Sequence, residues 1–261
     1  MERKPGQTNY ADYLLLDSLL AAQEPLSSDP DELHFIVIHQ IHELWFKLAL
    51  HHLVRAREAM QADELIEATR LIEQVYEIFE NAVLTSRHLH SLPPMAFHRF
   101  RALLAPGSGL QSYQFREIEF VAGLRDPRHV EWVKRVLVKD TQFEQVARRL
   151  EEPSIAEVFN EVLARHNIET VADVYAHPDQ YPDIYRLADV LSILDQRVLD
   201  WRMTHIQLVE RTIGSGTVGT GGTMHNYLQA TLQARFFPEL WEPRNVLSQR
   251  VDDGIEDVDE S

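Results

Sequence analysis

The chain has 261 residues, 44% of them hydrophobic, with ten glycines, no cysteine and a net charge of −16. That length suits one large domain, and the missing cysteines exclude disulfides, thiolate metal sites, thiolate-ligated haem and a cysteine nucleophile. The acidic balance argues against a nucleic-acid partner, whose affinity comes mainly from Lys and Arg neutralising phosphates.

The opening MERKPGQTNY lacks the apolar stretch of a secretory leader. No run of about 18 apolar residues follows it, so no membrane segment and a cytoplasmic location are expected. After the start signal Ser27-Ser28-Asp29-Pro30-Asp31, an apolar helix is predicted from Leu33 to about Arg57. Gln40, Glu43, Lys47 and His51 form its narrow polar stripe, which predicts a mostly buried helix. A second helix, from about Ala62 to His90, places Leu65, Ile72, Val75, Phe79, Ala82 and Val83 on one buried face before Pro93-Pro94 stops it.

A short helix in FHRFRALL leads to the loop PGSG, and QSYQFREIEFVAGL and HVEWVKRVLV read as further helices. From about Thr141 to Tyr181 the pattern is less periodic, with Pro153, Pro178 and Pro182 marking turns. Leu187, Leu191, Leu194, Val198, Trp201, His205, Leu208 and Thr212 then alternate in steps of four and three, the seam of a long packed helix that stops at Gly214. Five of the ten glycines fall between Gly214 and Thr223. No strand alternation is found, so the fold class is all-α, a single helical-bundle domain over 1–251. Six acids in the last ten residues leave the body at −10 and make 252–261 an acidic, solvated tail.

Several residues on these helices can carry chemistry. His205 interrupts the apolar seam one turn after Trp201, as a hydrogen-bonded core histidine or as a metal or haem ligand. Phe35, His39, His42 and Phe46 share one stripe, which suits a distal hydrogen-bonding histidine or simple core packing. HQIHE has the wrong order for a zincin site, and no repeated Glu-x-x-His pair supports a di-iron centre. Arg99 and Arg101 are equal candidates for a carboxylate clamp, because a guanidinium presents a planar fork. The formal G-x-G-x-x-G from Gly214 follows a helix and not a strand, so it reads as a threonine-rich lid and not as a dinucleotide fingerprint.

Blocks running in order from Tyr10 to Trp241 carry a resemblance. They are YADYLLLDSLLAAQ, DELHFIVIHQIHELWFKL, FHRFRALLAPGSGLQSYQFREIEF, WRMTHIQLVERTIG, GTGGTMHNYL and FFPELW. Together they resemble the tryptophan 2,3-dioxygenase family, whose members use haem to open the indole ring of L-tryptophan. The resemblance implies His205 as axial ligand of a haem b iron, ferrous in the active state, with O2 as co-substrate and with Ser108 and Trp201 beside the haem. It implies His39 as the catalytic distal histidine facing the indole N–H, and Phe35, Phe97 and Leu104 as the apolar wall.

The same resemblance selects Arg101 over Arg99 as the carboxylate clamp and Thr220 as the loop residue holding the substrate's charged head. GSGTVGTGG is one residue longer than in much of the family, which keeps Thr217 and Thr223 beside Thr220 as candidates. Tyr10 and Tyr13 lie in an N-terminal arm, about 1–20, that is implied to enter a neighbouring subunit's pocket in an intertwined homotetramer, a dimer of dimers. The implied product is N-formyl-L-kynurenine, with both oxygen atoms inserted, in the first step of tryptophan catabolism by the kynurenine pathway. The alternative is a related haem oxygenase acting on another indole or aromatic amino acid.

Overall fold

The computed structural model describes residues 9–137, 139–214, 216–217, 229 and 231–244. These form helices and loops, with no strand among the described residues. Two short helices, α1 (Tyr10–Leu14) and α2 (Leu16–Leu20), precede the long α3 (Glu32–Gln61) and α4 (Leu65–His88). Next come α5 (Pro94–Leu104), α6 (Tyr113–Ala122), α7 (Pro127–Val136), α8 (Asp140–Ala147), α9 (Ile155–Arg165) and α10 (Val171–Ala176). The longest helix, α11 (Pro182–Ile213), follows, and 231–244 contains two single 3₁₀ turns, Thr231–Gln233 and Pro238–Leu240. No helix among the described residues is long and apolar enough to cross a membrane.

Helix α4 packs along both α3 and α11, while α6 and α9 lie against α3. Phe79, Leu53, Met60, Leu71, Ile72 and Ile155 are fully enclosed in this centre. Each such side chain contributes roughly 1.5–3 kcal/mol on removal from water. The α11 seam follows its periodicity: Leu187, Leu191, Leu194, Val198 and Leu208 are buried. Trp201, His205 and Thr212 are half-buried. Pro182 opens α11 from its first turn, where the missing N–H removes no helical bond.

Three expectations are corrected. The stretch from Thr141 to Tyr181 contains most of α8 and all of α9 and α10, not only turns. Ser154 and Glu157 form a reciprocal capping box at the start of α9, satisfying backbone donors that would otherwise be orphaned. Helix α3 is not mostly buried, since Leu33, Leu44 and Leu48 are 40–51% exposed. Its polar stripe instead faces neighbours in part: Gln40 bonds Gln23 and the Ala22 carbonyl, and Glu43 accepts from Gln114. Val83, expected in the core with its neighbours on α4, is only half-buried.

The break between α3 and α4 falls at Asp63, whose positive φ of 61° ends the helical path and allows the chain to reverse. Gly123 closes α6 at φ 145°, and a Cβ there would stand 3.0 Å from the Phe236 carbonyl oxygen and 2.8 Å from the Ala156 methyl. Only glycine lets the segment after residue 231 seat this closely on α6.

Candidate active site

Helices α3, α6 and α11 enclose a cavity of about 240 Å³. Steps of three and four along α3 bring His39, His42 and Phe46 to its wall, and α11 supplies Trp201, Arg202 and His205. Phe115, Arg116 and Glu119 come from α6, and Thr231 and Ala234 from the segment beyond the glycine-rich stretch. Trp201 is the aromatic hub: its ring centroid lies 4.8 Å from Phe115, 5.4 Å from Phe46 and 6.2 Å from His205, on which it stacks.

The three histidines differ in what holds them. Both ring nitrogens of His42 are engaged, Nδ1 with the Ile38 carbonyl and Nε2 with Ser86 and the Ala82 carbonyl. His39 packs on Phe35 with centroids 4.0 Å apart, and its Nδ1 lies 2.7 Å from the Phe35 carbonyl. A carbonyl only accepts, so Nδ1 carries the hydrogen and the lone pair sits on Nε2. The His205 imidazole makes no hydrogen bond to any described residue, contrary to the reading of a satisfied core histidine. Burial pushes His39 and His205 down from 6.5 to about 4, His42 adding to the effect on His39, and His39 and His42 adding to it on His205. Both imidazoles are neutral at pH 7, the state in which a ring nitrogen can ligate a metal or accept a hydrogen bond.

One end of the cavity carries an ionic group that sequence reading missed. Glu119 faces Arg116 at 3.0 Å, His129 at 2.8 Å and Arg202 at 3.2 Å, and both arginines are buried. Burial would push the Glu119 carboxyl up, but Arg116, His129 and Arg202 outweigh it and hold the group below its ordinary value. Two guanidinium groups face the Glu119 carboxylate here, and Glu43 of α3 adds a second carboxylate to the lining. The Nε of Arg116 and the indole Nε1 of Trp201 are buried without a partner among the described residues. Orphaned donors in a low-dielectric site are costly unless a ligand supplies acceptors. The cavity thus offers one uncommitted imidazole and two unspent N–H donors in a largely apolar wall, a donor set that suits an apolar, metal-bearing group with acceptor oxygens.

Other predicted residues gather beside the cavity. Phe35, Phe97 and Leu104 pack with Phe100, Leu92 and Ile213 in a separate apolar cluster, joined to the cavity wall by the Phe35–His39 stack. The Phe35 and Phe97 rings are 5.4 Å apart. Arg101 is half-buried one turn after Phe97 on α5 and is not part of the cavity lining. Arg99 is committed elsewhere: it pairs with Asp29 and approaches Asp31 at 3.9 Å. Ser108 caps the 3₁₀ turn Gly109–Gln111, and its neighbours Gly109, Leu110 and Ser112, but not Ser108 itself, line the cavity. Tyr10 and Tyr13 are 75% and 69% exposed on α1. Thr220 and Thr223 lie outside the described residues, as does the tail; Thr217 is exposed.

Comparison with known proteins bears directly on this arrangement. The sequence profile described as tryptophan 2,3-dioxygenase matches residues 2–172 and 169–247. A tryptophan 2,3-dioxygenase of Burkholderia ambifaria is 36% identical, with 92% of this chain and 84% of the relative covered. One from Pseudomonas fluorescens is 34% identical over 92% of this chain and 91% of its own length. For one from Ralstonia pickettii the figures are 35%, 92% and 93%. Matches of this extent take in the helices that build the cavity, and the chain belongs to the tryptophan 2,3-dioxygenase family.

Proposed function

We propose that this chain is a haem-dependent dioxygenase that cleaves the C2–C3 bond of the L-tryptophan indole with O2 to give N-formyl-L-kynurenine. The observation that carries the reading is one cavity lined by two neutral histidines in different states: His205 with no partner among the described residues, and His39 with its tautomer fixed. When bound, haem supplies the iron that activates O2, and the protein supplies binding, orientation and electrostatics.

His205, with Trp201 stacked against it, would ligate the haem iron, and Ser108 would contribute to holding the group. Arg116, Arg202 and the Trp201 indole N–H would supply donors for the carboxylates that haem carries. Nε2 of His39 accepts the indole N–H. The indole N–H is a very weak acid and a conjugate acid near pKa 4 makes His39 a weak base, so the residue orients the ring and the proton stays on indole nitrogen.

Phe35, Phe97 and Leu104 form the apolar wall for the indole and exclude water from it. Arg101 grips the substrate carboxylate, and Thr220, outside the described residues, is the loop residue assigned to the charged head. Holding a flat apolar ring at one end and a zwitterion at the other fixes the reacting bond, so much of the protein's contribution is positioning. Tyr10 and Tyr13, exposed on α1, enter a neighbouring subunit's pocket in a homotetramer; the exposed Leu33, Leu44 and Leu48 of α3 support such an assembly.

The reading is tested by reducing purified haem-loaded protein without oxygen, then adding tryptophan and O2 and following formylkynurenine absorbance. Stoichiometric product is expected. A protein that takes up haem yet leaves tryptophan intact overturns the substrate, and one that takes up no haem overturns the reading as a whole.

A further inference from the structure

The sequence block FFPELW, which the chemistry above leaves without a role, has three of its N–H groups gathered on one buried carboxylate. Asp195, 4% exposed on α11, receives the Phe236 backbone N–H on Oδ1 at 2.7 Å. Its Oδ2 receives the Phe237 N–H at 3.2 Å and the Trp241 indole N–H at 3.0 Å. Phe236, Phe237 and Leu240 are buried behind it, and Arg235 and Arg244 lie over the Trp241 ring at 3.8 and 5.1 Å.

Seven residues along the same helix, near one face after two turns, Arg202 donates to the carbonyls of Thr231 at 3.1 Å and Ala234 at 2.5 Å. Its other terminal nitrogen reaches Glu119 at 3.2 Å. Thr231 and Ala234 are cavity wall. Two buried charged side chains on the helix that bears His205 therefore hold one segment: Asp195 at its FFPELW end, and Arg202 at the end that lines the cavity.

We propose that Asp195 is a positioning residue of the cavity: by fixing Phe236, Phe237 and Trp241 it holds Thr231–Ala234 at the wall and keeps Arg202 stretched between those carbonyls and Glu119. Its relevance to haem rests on the reading under Proposed function; the anchoring itself does not. A carboxylate suits the role because three N–H donors converge on it and it has no hydrogen to set against them. An asparagine of the same shape keeps one accepting oxygen and turns an NH2 group toward at least one of those donors.

The test is amide hydrogen exchange of Asp195→Asn and wild-type protein, together with haemin titration of both apo-proteins. Exchange across 231–237 is expected to rise at least tenfold in the variant while peptides of α3, α4 and α9 stay at wild-type rates, and haemin binding is expected to weaken at least tenfold. The decisive peptide is 231–235, which makes no hydrogen bond to Asp195. Wild-type exchange there, or a loosened segment with undiminished haemin affinity, overturns the proposal. If Asp195→Asn fails to fold, Trp241→Phe removes one donor and carries the test, with a threefold rise over 231–235 expected and no rise contradicting it. Wild-type protein that takes up no haemin counts against the haem reading, and the exchange arm then decides the role of Asp195.

Discussion

The His39 Nδ1–H donates to the carbonyl of Phe35, 2.7 Å away in the preceding turn of α3, and this bond decides what the ring offers the cavity. One helical turn fixes the tautomer and sets the Phe35 ring against the imidazole, so the apolar wall and the hydrogen-bond acceptor are positioned together.

His39→Ala is accordingly expected to lower kcat/KM for tryptophan roughly tenfold, the worth of one neutral hydrogen bond, while haem content stays at wild type. A substrate methylated on the indole nitrogen lacks the donor, and the variant should handle it no worse than wild type relative to tryptophan. Loss of haem in the variant would contradict an orienting role.

His205→Ala should part company with His39→Ala. If His205 is the axial ligand, its loss removes the native ferrous Soret band and lowers the haem retained through gel filtration. An unchanged spectrum would sink the assignment.

The two arginines of α5 separate in the same way. Arg101→Ala should weaken tryptophan binding by about 2–5 kcal/mol, the cost of breaking a buried, hydrogen-bonded ion pair, and tryptamine binding far less. Arg99→Ala breaks the exposed pair with Asp29 and should leave both affinities unchanged. Equal losses for tryptophan and tryptamine in Arg101→Ala would refute the clamp.

The histidines also set a pH dependence for the haem-free protein. His39 and His205 protonate near pH 4 when folded and near 6.5 when unfolded, and His42 is shifted the same way, chiefly by burial. Between those values the unfolded chain binds protons that the folded chain does not. Stability is therefore full above pH 6.5 and falls as the pH drops toward 4, by about 1.4 kcal/mol per pH unit for each ring at the steepest. Urea unfolding at pH 7 and pH 5 checks this, and His205→Gln should flatten the slope. A midpoint indifferent to pH, in wild type and variant alike, would contradict it.

What the sequence made legible follows from the range of the interactions. The α11 seam could be read because burial there repeats every three or four residues, and His205 stood out by interrupting it. Helix α9 carries an equally local signal in Ser154 and Glu157, but the prolines on either side of it mask its periodicity. The Arg116–Glu119–His129–Arg202 group was not legible, because α6, α7 and α11 bring together residues up to 86 positions apart, and nothing local marks any of them as buried. The exposed Leu44 and Leu48 have the opposite cause: apolar residues announce a buried face but not which molecule covers it. The choice of Arg101 over Arg99 comes from the family resemblance; the structure shows Arg99 paired with Asp29.

The central claim is that this cavity inserts both atoms of O2 across the indole C2–C3 bond of tryptophan. Mass spectrometry of the product formed under oxygen-18 gas tests it most directly. The account predicts N-formylkynurenine four mass units heavier than the product made in air, reflecting two labelled atoms. A product two units heavier, or a hydroxylated indole with its ring intact, would contradict it and identify an enzyme that inserts one atom.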